Sequence, residues 1–418
     1  MRDDGTVTGV RAATAPLFFG WAIVAFTFVM QFLTIGMGFY TFAVLLVPLT
    51  DALDADRFLV SLALSVQTLT GALLGPWVGR MVAERSVRVL MFGGMLTLSA
   101  GFLLLAQAST LWHLYAAFGL IVTVGMTFCG PLPCNTLLAN WFAARRGTAL
   151  GISQFGVSLS GTVLVPVAGW IVVEYGWQAV PLTFALALPL VMTPLIWKLA
   201  IKRPEDVGLH ADGALEAPAQ SGPGGRDWTF AKALRDPQVW LLAAVVGVPF
   251  MGVGMVVLGM HSHITDVGLS VLEASAIVAV ITACGALAKL LFGVLADRFD
   301  KRAVVSASLG LQILGLASIM GADTELGFAV AGGLFGLGYG GALPLWSVLI
   351  ATMFGPDAFA RVMGFMGPMT VPFTLSGLPL ATYVFEHTGS YLPAFGALLA
   401  ALCVALVATW RVRIPASP

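Results

Sequence analysis

Apolar residues come in long, nearly unbroken blocks along this chain, without the alternation that marks a helix or strand with one wet face. A bilayer core needs about 20 predominantly apolar residues per helix. Twelve blocks meet that length: 18–47, 58–79, 88–108, 111–139, 147–174, 178–200, 237–263, 273–296, 303–321, 326–353, 362–385 and 391–410. Between the sixth and the seventh lies a polar stretch, 201–236, holding Pro204, Pro218 and the run Ser221-Gly222-Pro223-Gly224-Gly225. That composition reads as a flexible linker. The pattern therefore predicts an all-α membrane protein with a six-helix part over 1–200, a cytoplasmic linker over 201–236 and a second six-helix part over 237–418. The residues before Phe18 are polar, and the apolar run that follows is too long for a signal-peptide core, so it reads as the first span.

Composition agrees with lipid as the solvent. Hydrophobic residues make up 58% of the chain and charged residues 10%, against roughly 25% charged in a soluble domain. Basic and acidic residues balance at 21 each, which gives no nucleic-acid partner. Their placement carries more information than their sum. With the N-terminus inside, 19 of the 21 basic residues fall on the inner side; Arg57 lies outside and Lys289 within a span. The positive-inside rule then puts both termini in the cytoplasm, with the protein multi-pass in the cell's inner (plasma) membrane. Cys129, Cys134, Cys284 and Cys403 all sit in apolar blocks, as small buried hydrophobes would, without disulfide or zinc spacing.

The two parts resemble each other. Gly125, Pro131, Gly151, Pro166 and Gly176 meet Gly338, Pro344, Gly364, Pro379 and Gly389 at one offset of 213, and Gly79 meets Gly293 at 214. A repeat of six helices with unchanged orientation implies an axis along the membrane normal, with a substrate site near mid-bilayer between the repeats.

The loop after the eighth block reads Gly293-Val-Leu-Ala-Asp297-Arg298-Phe-Asp300-Lys301-Arg302. It resembles the G-x-x-x-D-R-x-G-R-R signature of the major facilitator superfamily, with Asp300 where glycine is usual. The resemblance implies a twelve-helix transporter in which Gly293, Asp297, Arg298, Lys301 and Arg302 latch one conformation; the basic residues also suit anionic lipid head groups. The first-half copy keeps Gly79-Arg80, which count with the latch residues, but Ala83 stands where the aspartate belongs, so this copy of the latch is degenerate. Two further strings, Asn140-Trp141-Phe142-Ala-Ala-Arg145-Arg146-Gly147 and Arg203-Pro204-Glu205-Asp206-Val-Gly208, resemble loops of monocarboxylate-transporter-like and oxalate:formate-antiporter-like members. The fifth block lacks the Gly-Pro pair of drug/proton antiporters.

An ionisable group inside a span is a functional candidate, and Lys289 is the clear one. It lies four residues before Gly293, where the resembling transporters carry an arginine for the substrate carboxylate. Those monocarboxylate transporters also place an acid one turn earlier, where this chain has Gly285. Lys289 either pairs with an incoming carboxylate or snorkels toward the Asp297 end. Tyr339, among small neighbours, is implied by the resemblance as a substrate contact; Asn135 and Gln154 either donate to substrate or join helices. His261 and His263 are candidates for proton coupling. These features imply transport of a small organic anion, a monocarboxylate first, by alternating access with proton symport. Anion exchange, or efflux of an amphipathic or cationic compound, remains the alternative; a sensor lacks room for an output domain. No nucleophile elbow, metal cluster or phosphate loop appears, so neither enzyme activity nor any cofactor or metal is expected.

Overall fold

A computed structural model describes residues 18–214, 228–258, 264 and 270–413. Among them the secondary structure is helical throughout. That follows from the solvent: lipid offers no hydrogen bonds, so each spanning segment must satisfy its own backbone. We number the helices α1 (Gly20–Ala52), α2 (Arg57–Glu84), α3 (Val87–Leu105), α4 (Leu111–Trp141), α5 (Arg146–Tyr175) and α6 (Ala179–Leu199). After the linker come α7 (Pro237–Gly252), α8 (Val271–Arg298), α9 (Lys301–Met320), α10 (325–354), α11 (356–388) and α12 (Leu392–Thr409).

The division between α10 and α11 has a clear cause. Glu325–Thr388 is helical over 64 residues except at Gly355, whose φ of 75° and ψ of 168° no helix contains. A straight helix of that length would run about 96 Å, three times a bilayer core. Gly355 turns the chain, and Pro356 restarts it where a missing N–H does no harm. The last span but one therefore begins at 356 rather than 362, because its first two turns carry Asp357 and Arg361 and so escape a hydropathy reading.

The burial pattern is inverted relative to a water-soluble protein. Val173, Leu186, Leu190 and Val404 are exposed, whereas Gln31, Asn135, Ser153 and Gln154 are buried. Lipid covers the apolar outer surface, and the polar side chains turn inward to find one another. Cys129 and Cys134 are buried as expected; Cys284 is half-buried and Cys403 is exposed on α12. Exposure to lipid is apolar too, so a cysteine tolerates either place.

Short π-helical segments interrupt α1 at Gly36–Tyr40 and follow α7 at Val253–Leu258. A π turn leaves a carbonyl without its helical partner, and at Gly38 the Gln67 side chain of α2 supplies a donor at 2.9 Å.

Candidate functional site

Two close helix pairs dominate the contact between the first six helices and the last six. α5 runs against α8, and α2 against α11. Both contacts are built on glycine. A Cβ on Gly151 would fall 2.5 Å from the Lys289 carbonyl oxygen, and one on Gly293 2.5 Å from that of Gly147. Likewise a Cβ on Gly75 would meet the Gly364 oxygen at 2.6 Å. Backbones this close need small residues, since any side chain would force the helices apart.

Lys289 projects from this seam. It is 4% exposed, and its ammonium donates to the Ser158 hydroxyl on α5. The direction is informative. Asp297 sits at the start of α5, on Gly147 and Thr148. Ser158 lies ten residues further along α5 than Thr148, about 15 Å at 1.5 Å per residue. The ammonium thus reaches away from Asp297, toward the N-terminal side of its own residue, as Cβ directions on a helix dictate. Snorkelling toward the Asp297 end does not occur.

Two tyrosines lie against the helices that carry Ser158 and Lys289. Tyr40 of α1 lies over Gly161, three residues beyond Ser158, where a Cβ would meet its ring at 3.3 Å. Tyr339 of α10 lies over Gly285, four residues before Lys289; a Cβ there would be 2.8 Å from the phenol oxygen. The glycine at 285 therefore makes room for a phenol in the space that an acid at that position would fill.

One turn toward the α5 N-terminus sits a cluster of uncharged polar groups. Gln31 Nε2 donates to Ser153 Oγ at 2.6 Å and, more weakly, to Asn135 Oδ1 at 3.4 Å. Asn135 Nδ2 and Gln154 Nε2 both donate to Ser347 Oγ of α10, at 3.3 and 3.4 Å. Gln31 Oε1 and Gln154 Oε1 have no protein partner. A buried acceptor left unpaired costs about 1–3 kcal/mol, so these two oxygens are suited to a ligand's donors.

The ends of the seam helices are clasped. Asp297 accepts from Gly147 N at 2.6 Å, Thr148 N at 2.7 Å and Thr148 Oγ1 at 2.6 Å. These are the unpaired N–H groups of the α5 first turn, where the helix dipole favours an anion. Asp300, the departure from the family pattern, caps α9 through Arg302 N and Ala303 N. Lys301 acts on Asp297 electrostatically, and Arg298 is exposed. On the other pair Gly79 packs against Ala360 and Gly364. Arg80 pairs with Glu84 at 3.1 Å, and Glu84 also pairs with Arg361 of α11 at 3.0 Å. The degenerate first-half copy, with Ala83 in place of the aspartate, thus carries a cross-seam ion pair through Glu84 that the motif did not show. A second one joins Arg203 to Asp357 at 2.6 Å.

The residues singled out in the sequence fall in three places. Lys289, Tyr339, Asn135 and Gln154 come together along the seam. Gly79, Arg80, Gly293, Asp297, Arg298, Lys301 and Arg302 lie at the helix ends. His261 and His263 lie outside the described residues. Sequence reasoning missed Ser158, Ser153, Ser347, Gln31 and Tyr40. Gln31 alone carried a usable signal, as a lone amide inside the apolar run Val29-Met30-Gln31-Phe32; serines in membrane helices are too common to point anywhere.

The Major Facilitator Superfamily model matches residues 24–262 and again 248–418. Monocarboxylate transporter 13 of Bos taurus is 26% identical over 387 residues, spanning 90% of this chain and 85% of the relative. Monocarboxylate transporter 11 of Mus musculus is 27% identical over 90% and 83%. An uncharacterized MFS-type transporter of Bacillus subtilis, YcxA, is 25% identical over 82% and 83%. Among solved structures, the human organic anion transporter MFSD10 aligns with a TM-score of 0.71 at 15% identity, over 93% of this chain and 99% of that one. The MFS transporter FucP in the outward conformation aligns with a TM-score of 0.70 at 14% identity, over 93% and 98%.

Proposed function

The chain belongs to the major facilitator superfamily, and from that premise we propose that it carries a small organic anion, a monocarboxylate first, by alternating access with proton symport. The observation that carries this reading is Lys289. Its ammonium is buried at the seam, held by the Ser158 hydroxyl, and about 15 Å along α5 from the Asp297 clasp. A buried cation without a counter-charge is strongly disfavoured. A substrate carboxylate supplies that charge, and Tyr40, Tyr339 and the two open glutamine oxygens supply polar contacts beside it. The names of the relatives accord with such a substrate. In this reading residues 1–200 and 237–418 rock against each other, both termini are cytoplasmic, and the clasped end faces the cytoplasm of a plasma-membrane protein.

Anion exchange is the second reading. It is favoured by the lack, among the described residues, of a carboxylate or imidazole hydrogen-bonded to Lys289 that could carry the proton. Efflux of a cationic compound fits poorly with a buried ammonium.

The test is uptake of a panel of labelled monocarboxylates into proteoliposomes, with and without a pH gradient, and substrate titration on three proteins. Removing one partner of a buried charge pair costs about 2–5 kcal/mol, so Lys289→Gln should lose ~30-fold or more in affinity. Lys289→Arg should keep substantial binding, with altered selectivity. Unchanged affinity in Lys289→Gln overturns the anion site. Uptake stimulated by an inward proton gradient supports symport; uptake that needs only a counter-anion inside supports exchange.

A further inference from the structure

The stretch that enters α7 and the stretch that leaves α12 are far apart in sequence, and the fold lays them side by side. A short helix, Phe230–Arg235, precedes α7, and the Thr229 hydroxyl caps it by accepting from Lys232 N. Apolar contacts pin it to the last six helices. Ala233 is fully buried, the Phe230 ring lies 5.6 Å from that of Phe365, and the Trp228 ring lies 4.9 Å from that of Phe354. Trp240 Nε1 of α7 donates to the Leu234 carbonyl oxygen at 2.9 Å, which fixes the bend between the short helix and α7. α7 packs along α12, and Arg413 N, beyond the end of α12, donates to Gln238 Oε1 in the first turn of α7 at 2.9 Å.

This packing gathers four exposed cations. Lys232 and Arg235, three residues apart, share one side of the short helix, and Arg411 and Arg413 arrive from the end of α12. Lys232 Nζ is stationed 5.0 Å over the Trp228 ring, a cation–π contact. Among the described residues none of the four is in an ion pair. The carboxylate at the bend, Asp236, accepts from Gln238 N at 2.8 Å and caps α7. The other side of the patch is apolar. Phe230 and Leu234, four residues apart on the opposite side of the short helix, are exposed, and so are Trp240 of α7 and Trp410 of α12. Tryptophan settles at the head-group level of a bilayer. A surface with an apolar edge and a cationic edge at the ends of two spans suits that interface better than either water or hydrocarbon.

We propose that this patch holds an anionic phospholipid, its acyl chains along the groove between α7 and α12 and its phosphate on Arg235, Arg411 and Arg413, with Lys232 beside them. Guanidinium groups match a phosphate with paired N–H donors. The apolar groove selects a lipid over a free anion, and the charge selects an anionic head group over a zwitterionic one. Each cation near the head groups is worth roughly 5-fold in affinity. The site stands apart from the Lys289 seam and needs no transported substrate.

The experiment is native mass spectrometry of the full chain in detergent, titrated with phosphatidylglycerol or with phosphatidylcholine of the same acyl chains. The unsubstituted protein should take its first phosphatidylglycerol about 10-fold or more tighter than phosphatidylcholine. Arg235→Gln/Arg411→Gln/Arg413→Gln should lose roughly 100-fold for phosphatidylglycerol, three cations at about 5-fold each. The corresponding triple lysine variant should stay within a few-fold, because charge is kept, and it shows that the positions tolerate replacement. Removing three exposed cations elsewhere, in Arg85→Gln/Arg145→Gln/Lys198→Gln, should leave the first lipid bound as before. Millimolar inorganic phosphate should not displace it. Equal affinity for the two lipids, an equal loss in the Arg85/Arg145/Lys198 variant, or displacement by inorganic phosphate overturns the proposal.

Discussion

Replacing Asp297 with asparagine tests the α8–α5 clasp through a known loss of contacts. The carboxylate accepts three hydrogen bonds, at 2.6, 2.7 and 2.6 Å, with one oxygen on Gly147 N and the other on Thr148 N and Oγ1. Asparagine keeps one acceptor oxygen. Its amide turns a donor toward either Gly147 N–H or Thr148 N–H, so one backbone donor in the α5 first turn loses its partner. Hydrogen bonds to a charged group contribute about 1.5–3 kcal/mol. Asp297 is only partly buried, so the lower part of that range applies, and about 1.5 kcal/mol is roughly a tenfold change in an equilibrium. The closed state should lose about tenfold in population relative to the open one. Distances between labels at Ser86 and Phe299 in nanodiscs read this directly, and turnover should fall while substrate affinity stays within a few-fold. Thr148→Val removes one hydrogen bond to the same carboxylate and should shift the equilibrium in the same direction by a similar amount, about 1.5 kcal/mol. If Asp297→Asn left the distance distribution unchanged, the three contacts would carry no conformational energy and the clasp argument would fail.

Two more expectations concern the site and the topology. Gly285→Asp places a side chain where the Tyr339 phenol lies, so it should destabilise by about 1–3 kcal/mol through overpacking. Gly285→Asp with Tyr339→Ala should recover the melting temperature; equal destabilisation in both would mean that Tyr339 does not fill that space. On a cysteine-free background, a cysteine at position 300 should label only from the cytoplasm and one at position 323 only from outside. Both loops carry exposed residues, and labelling of the two from the same side would refute the proposed orientation.

Much of the candidate site was legible before any fold. Lys289 stood out because a charge in an apolar run is disfavoured wherever the run folds, and the loop ending in Asp297-Arg298 carried its family resemblance in a contiguous string. The polar surroundings of Lys289 were not legible. Ser158 is 131 residues away in sequence, and Ser347 lies 212 residues from Asn135. Nothing local to a serine in a membrane helix says which other helix it will meet.

The sequence by itself determined the membrane class, the positions of the spans and the isolation of Lys289. Hydropathy acts on each segment separately, and lipid permits one backbone solution for it. Helix ends were placed less well, as at α11, because Gly355 and Pro356 set that boundary while the charged first turn hid it. The tertiary structure alone decided which way the Lys289 ammonium points, that Tyr339 fills the space over Gly285, and that Asp357 meets Arg203. Each depends on how close two backbones come at a glycine contact. That distance is set by helices more than a hundred residues apart packing together, and no run of neighbouring residues encodes it.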